Sequence, residues 1–340
     1  MSRPVEGPPR ARDALAGLKA FQRRTVDYAF RRLYLDEDST HRFLVADEVG
    51  LGKTMVARGV IAKAVEHLWS AVDRIDVVYV CSNADIARQN INRLRLDKSH
   101  EFARASRATL LPIELRDMAK RRVNYVSMTP GTSLEPRGGM GIAQERALMF
   151  HLLREHWKIP EKDGLSLFRG GVKRANFRWW VQEWMAEQSV DAALHAGFLR
   201  ELDRLESLER KSGRTTLRER ALALGGGEQD TDSDEDPRQG RRSIIAELRA
   251  ILGRTCITAL RPDLVILDEF QRFKHLLDPT DDAAELARSL FEYADTKEQH
   301  NEAVRVLLLS ATPYKMYSLQ HEQENGESDH YEDFVATYDF

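Results

Sequence analysis

A chain of 340 residues with 42% hydrophobic and 31% charged side chains has a globular balance that excludes wholesale disorder, collagen-like repetition and a fibrous coiled coil. Lys and Arg total 51 against 54 Asp and Glu, and the net charge of -3 excludes a strongly basic protein that coats nucleic acid. No apolar run approaches the ~18 residues of a membrane span, Met1 to Arg12 carries no apolar leader, and Cys81 and Cys256 support neither a disulfide framework nor a zinc site. A cytoplasmic protein without membrane contact is expected.

Residues 1–18, with Pro4, Pro8 and Pro9, read as a flexible tail. Six short runs rich in Val, Ile and Leu then read as buried, parallel-type strands: Arg42 to Ala46, Asp76 to Cys81, Thr109 to Ile113, Val123 to Met128, Asp263 to Asp268 and Val304 to Ser310. Helical spacing follows two of them. Val56, Gly59, Val60, Ala64 and Leu68 recur along Met55 to Trp69, and Ile86, Ile91 and Leu94 along Ala84 to Leu96. Strand followed by helix, repeated, predicts an α/β fold with a mostly parallel sheet and helices on both faces.

Between residues 131 and 244 the alternation stops. Helical patterns at Ala143 to Trp157, Phe177 to Val190 and Ala193 to Arg210, with another at Ser243 to Leu252, predict an α-helical insertion dividing a lobe of residues 19–130 and 245–340. Within it, residues 225–240 hold six acidic residues between Glu228 and Asp236 and no large apolar side chain, the composition of a disordered linker. Trp180 and Trp184, with Trp179 beside them, share a helix face and read as a packed aromatic anchor in preference to a base-stacking platform. Charge is uneven: Ile86 to Arg122 has ten Lys and Arg against four Asp and Glu, whereas Asp268 to Phe340 is acidic.

Three stretches carry chemistry. In FLVADEVGLGKT (Phe43 to Thr54) an apolar strand runs into a glycine-bearing loop and then a helix. Gly50 and Gly52, with Val49 and Leu51 between and before them, let backbone N–H groups turn toward a polyphosphate; Lys53 can meet the β and γ oxygens, and the Thr54 hydroxyl can ligate Mg²⁺. Asp47 stands where the strict pattern has its first glycine. LVILDEFQ (Leu264 to Gln271) ends a strand in two carboxylates, of which Asp268 can hold the Mg²⁺ shell and Glu269 can polarise an attacking water. VLLLSATP (Val306 to Pro313) ends in Ser310 and Thr312, which can hydrogen-bond the carboxylate pair or cap a helix.

In this order the three resemble motifs I, II and III of superfamily 2 helicases and translocases. ADEVGLGKT is similar to the Swi/Snf-type branch and its bacterial relative, the RNA-polymerase-recycling ATPase, and bacterial phage-defence helicases with long helical insertions also look like this. The resemblance implies a RecA-like first lobe that binds ATP and Mg²⁺, with Gln22 matching the upstream glutamine element that reads the adenine edge. It also implies nucleic-acid contacts at Ser82 and Asn83 (VCSNADIARQ, resembling motif Ia) and at Thr129 and Gly131 (SMTPGT, resembling motif Ib). DEFQ departs from the DEGH or DEAH form, which gives Gln271, with Ser310 and Thr312, the task of coupling nucleotide state to movement. The implied partners are nucleic acid, DNA in preference to RNA, and a second RecA-like lobe in the same or another chain. A P-loop ATPase that remodels a protein, and a non-catalytic ATP-binding module, are the alternatives.

Overall fold

The computed structural model describes residues 7–47, 50–96, 107–118, 120–129, 139–226, 237–260, 262–269, 290 and 304–310. The chain divides into two compact units, one of Met1–Arg104, Arg121–Gly131 and Arg261–Phe340, the other of Ala105–Lys120 and Thr132–Leu260.

The first unit is an α/β lobe on a five-stranded, all-parallel sheet. Its helices are α1 (Ala11–Leu15), α2 (Ala20–Phe30, continued by a π-helical turn Arg31–Leu35), α3 (Lys53–Leu68) and α4 (Ala84–Leu94). Its strands are β1 (Arg42–Ala46), β2 (Ile75–Val80), β3 (Val123–Met128), β4 (Leu264–Asp268) and β5 (Arg305–Ser310), in the order β1-β5-β4-β2-β3. Burial explains why the central strands are unbroken apolar runs. Val77, Tyr79, Ile266 and Leu307 face a core shared with α2, α3 and α4, and the residues of opposite parity, Val78, Val265, Leu267 and Leu308, are equally buried. At the N-terminal edge Asp76 anchors three strands: its carboxylate accepts from Asn124 at 2.9 Å and pairs with Arg74 at 2.6 Å, and its N–H donates to Asp263 at 2.7 Å.

Helix α3 buries Val56, Val60, Ile61, Ala64 and Leu68, the stripe its spacing foretold. Gly59 lets α2 approach it, since a Cβ there would lie 2.6 Å from Val26. Residues 7–18 differ from the expected loose tail: α1 forms, Ala11 and Ala14 pack with Ala62 of α3, and Leu18 joins the main core. Alanine makes the fit possible because it brings the two backbones close at no cost in side-chain entropy.

The second unit is helical: α5 (Leu111–Met118), α6 (Ala143–Leu153), α7 (Glu161–Phe168), α8 (Arg174–Trp179), α9 (Met185–Glu187), α10 (Ala192–Lys211), α11 (Leu217–Gly226) and α12 (Pro237–Leu260). Two expectations are corrected here. Thr109 to Ile113 is not a strand: a 3₁₀ turn (Ala108–Leu110) leads into α5, and Ala108, Leu111 and Met118 are buried at intervals of three and seven. A five-residue apolar run does not by itself distinguish a buried strand from a buried helix turn. The boundary at 244 falls inside α12, whose buried Ile244, Ile245, Leu248, Ile251, Leu252, Ile257 and Leu260 form one continuous stripe, so the helical unit extends to Leu260. Of the expected linker, residues 225, 226 and 237–240 are helical and 227–236 lie outside the described residues.

Near the middle of this unit, Glu145 and Arg249 form a buried ion pair at 3.1 Å, both almost without solvent contact. Thr109 and the N–H of Ile142 also donate to Glu145. Phe177, Val181 and Met185 supply the buried face where a tryptophan anchor was expected; Trp179 is 50% exposed, and Trp180 and Trp184 are half-buried with their rings edge to face at 5.4 Å. Trp180–Trp184 forms a π-helical turn whose buried residue is Val181.

Candidate functional site

Because all five strands are parallel, the loops after β1, β2, β4 and β5 open on one edge of the sheet. Asp268 is level with Leu309 of β5, which is level with Val45 of β1. The carboxylate strand therefore ends two strands from the glycine loop, about 10 Å in backbone terms. The Lys53 charge is close enough to favour the ionised form of Asp268. Lys53 and Asp268, 215 positions apart, thus lie on the same rim of one sheet.

The loop is held by its own residues. Gly50 and Gly52 have φ of 89° and 85°, the left-handed region in which glycine escapes a Cβ clash. Lys53, the first residue of α3, turns back and donates from Nζ to the Asp47 carbonyl at 2.8 Å, closing the loop on itself. The Asp47 N–H reaches the Ser310 carbonyl at 3.3 Å, which ties the loop to the end of β5. Gln22 of α2 lies beneath: its Nε2 donates to the Leu51 carbonyl at 2.8 Å and its Oε1 accepts from the Lys19 N–H at 2.9 Å. Among the described residues, these two bonds leave one amide hydrogen and one lone pair of Gln22. Thr54 occupies the first turn of α3, half-buried beside Lys53.

The two carboxylates are held differently. Asp268 is 8% exposed, and burial pushes its carboxyl above the ordinary range; the Tyr79 hydroxyl bond, the Glu269 N–H and Lys53 pull the other way, and the Glu269 charge adds to the rise. Its Oδ2 accepts from the Tyr79 hydroxyl and from Asn90 Nδ2 at 3.3 Å, and Asn90 also donates to the Tyr79 oxygen at 2.9 Å. Glu269 has φ of 56°, unusual for a side chain with a Cβ, and its Oε2 accepts from Ser82 Oγ at 3.3 Å. Strain of this kind is concentrated at functional positions. Since β2 flanks β4 on the side opposite β5 and β1, the bond to Ser82 directs Glu269 away from the glycine loop.

The structure thus brings Gln22, Gly50, Leu51, Gly52, Lys53, Thr54, Asp268, Glu269, Ser82 and Ser310 to one edge of one unit. Asn83 caps α4 through the Ile86 N–H at 3.3 Å, and Thr129 follows β3 on the same edge. Val49, Gly131, Gln271 and Thr312 lie outside the described residues. The basic stretch does not stay together: residues 105–120 belong to the helical unit, where Arg107 pairs with Glu145 at 3.4 Å, while Arg122, in the lobe, sits 5.2 Å over the Trp69 ring. Tyr79 and Asn90 were missed by sequence reasoning. A tyrosine in a Val-rich buried strand needs a partner for its hydroxyl, the one signal available for Tyr79; nothing local distinguished Asn90.

A triphosphate with magnesium suits this donor set. The left-handed glycines put no Cβ on their part of the loop, Lys53 and the start of α3 supply positive charge, and Thr54 and Asp268 offer the two oxygen ligands a hard cation takes from protein when phosphates and waters supply the rest. Comparison with protein-family models, with curated proteins and with solved structures finds no match for this chain. Among the described residues no helix is long and apolar enough to cross a membrane.

Proposed function

We propose that this chain carries the first motor lobe of a nucleic-acid-dependent ATPase, a double-stranded DNA translocase or helicase, that acts with a second RecA-like lobe. The observation that supports the reading is the meeting of Lys53 and Asp268 on one rim of a parallel sheet, with Gln22, Gly52 and Thr54 at the same loop.

In this reading Lys53 exchanges the Asp47 carbonyl for phosphate oxygens, and the N–H groups opening α3 complete the cradle. Thr54 and Asp268 hold magnesium, which neutralises charge developing on the phosphoryl oxygens. Glu269 leaves Ser82 to orient and deprotonate the attacking water, so the bond between them marks an off-line state of the base. Ser82 and Asn83, with Thr129 and Gly131, face the nucleic-acid backbone; Gln271, Ser310 and Thr312 relay nucleotide state. Arginines from the second lobe supply the remaining charge, a contribution of order 10³ to 10⁵ in rate.

The test is ATP hydrolysis by the 340-residue chain with no addition, with duplex DNA, and with a protein extract freed of nucleic acid. Stimulation by duplex DNA supports the reading, and stimulation by protein alone would replace it with a protein-remodelling ATPase. Glu269→Gln should retain ATP binding and lose turnover; unchanged turnover removes Glu269 as the base.

A further inference from the structure

The carboxylate assigned to magnesium does not set its own direction. Its terminal torsion is a soft, roughly two-fold rotor, and besides the neighbouring Glu269 N–H two side chains from other elements hold it. Tyr79 reaches Asp268 from β2 across 189 positions and Asn90 from α4 across 178, and both bind the same oxygen, Oδ2. Asn90 Nδ2 points toward both the Tyr79 oxygen and Asp268 Oδ2, so the three side chains form a closed triangle of donors and acceptors. Tyr79 is 1% exposed and Asp268 8% exposed, and a buried network of this kind holds its geometry because each broken bond leaves an unsatisfied polar atom.

We infer that Tyr79 and Asn90 are positioning residues for the magnesium carboxylate: they pin Oδ2 and so present Oδ1, the oxygen neither side chain engages, to the metal shell. The inference rests on the nucleotide reading above and adds two residues that reading does not contain. Partners one bond removed from a metal typically change metal affinity by 10–100-fold when removed. Because Asn90 belongs to the helix that begins just after Ser82 and Asn83, the same bond links the orientation of Asp268 to the seat of α4 on the sheet.

The experiment is binding of ATP to the 340-residue chain by titration calorimetry, in EDTA and over a magnesium series, for the wild type, Tyr79→Phe and Asn90→Leu, with thermal melting of each without nucleotide. Tyr79→Phe keeps the ring and removes only the hydroxyl. The expected result is ATP affinity in EDTA equal to wild type, a melting temperature within a few degrees of it, and a magnesium concentration for half-maximal enhancement raised by about tenfold or more in both variants. An unchanged magnesium requirement overturns the inference and leaves the triangle as packing. So does a fall in EDTA affinity and melting temperature that matches the loss in magnesium. If the wild type binds no ATP under any condition, the nucleotide reading fails and this inference with it, an outcome distinct from wild-type binding with indifferent variants.

Discussion

The side-chain amide of Gln22 donates to the carbonyl of Leu51, 29 positions further on, at 2.8 Å, and its nitrogen lies 2.5 Å from where a Cβ on Gly52 would stand. Helix α2 therefore supports the glycine loop from below and leaves no space for a larger residue at Gly52. The proposed adenine contact of Gln22 would be made by an amide already engaged on the loop, which would join base recognition to loop geometry.

Gly52→Ala meets both this contact and a φ of 85°. It is expected to weaken ATP binding by at least about tenfold, since forced left-handed backbone and overpacking each cost on the order of 1–3 kcal/mol. Gln22→Ala alone should cost less. The double variant should lose less than the sum of the two single changes, because the steric contact is removed and the backbone strain is not; a double-mutant cycle on ATP affinity measures the coupling.

In the helical unit, removing one partner of the Glu145–Arg249 pair leaves the other charged and buried. Glu145→Ala is expected to destabilise this unit by about 3–5 kcal/mol, read as a lowered denaturation midpoint. Replacing both residues, as Glu145→Leu with Arg249→Met, should cost less than the single change, because the nearly fully buried guanidinium is removed with its partner and only the more exposed Arg107 loses a contact.

Gly164 of α7 faces the ring of Phe150, and a Cβ there would come within 2.1 Å of it. Phe150 stacks in turn on Phe168 at 5.7 Å, so the ring has little freedom to withdraw. Gly164→Ala should therefore destabilise by about 1–3 kcal/mol in spite of alanine's better helix propensity, which is worth about 1 kcal/mol. Chemical denaturation of the variant checks the sign.

His151 in α6 titrates below the ordinary histidine range, chiefly through burial and secondarily through the charges of Arg154 and His195. The unfolded chain therefore takes up this proton first as pH falls. His151 contributes no penalty above the unfolded value of about 6.5, and stability is lost as pH drops from there through the lowered folded value. Melting temperature against pH should decline over that window, and His151→Gln should flatten the decline. A wild-type curve that is level from pH 7 to pH 5 would contradict this.

Much of the lobe was legible before the structure. Arg42 to Ala46 and Val123 to Met128 form strands with the expected bounds, and β4 and β5 each begin one residue late, because a run of Val, Ile and Leu bounded by turn residues carries its own signal. Thr109 to Ile113 carried the same local signal and became helix, since its partner Glu145 lies in a unit that residue pattern alone did not delimit. The N-terminal helix was hidden for a similar reason: Ala11 and Ala14 look unremarkable until Ala62 is opposite them.

By itself the sequence determined the parallel α/β lobe, the glycine loop and the paired carboxylates, because strand propensity, turn chemistry and the spacing of phosphate-binding groups are properties of neighbouring residues. Only the tertiary structure decided which side chains aim the carboxylates. The bonds from Tyr79 and Asn90 to Asp268, and from Ser82 to Glu269, depend on β2 lying beside β4 in the sheet, and hydrogen bonds a few ångströms long between residues nearly two hundred positions apart leave no mark on local sequence.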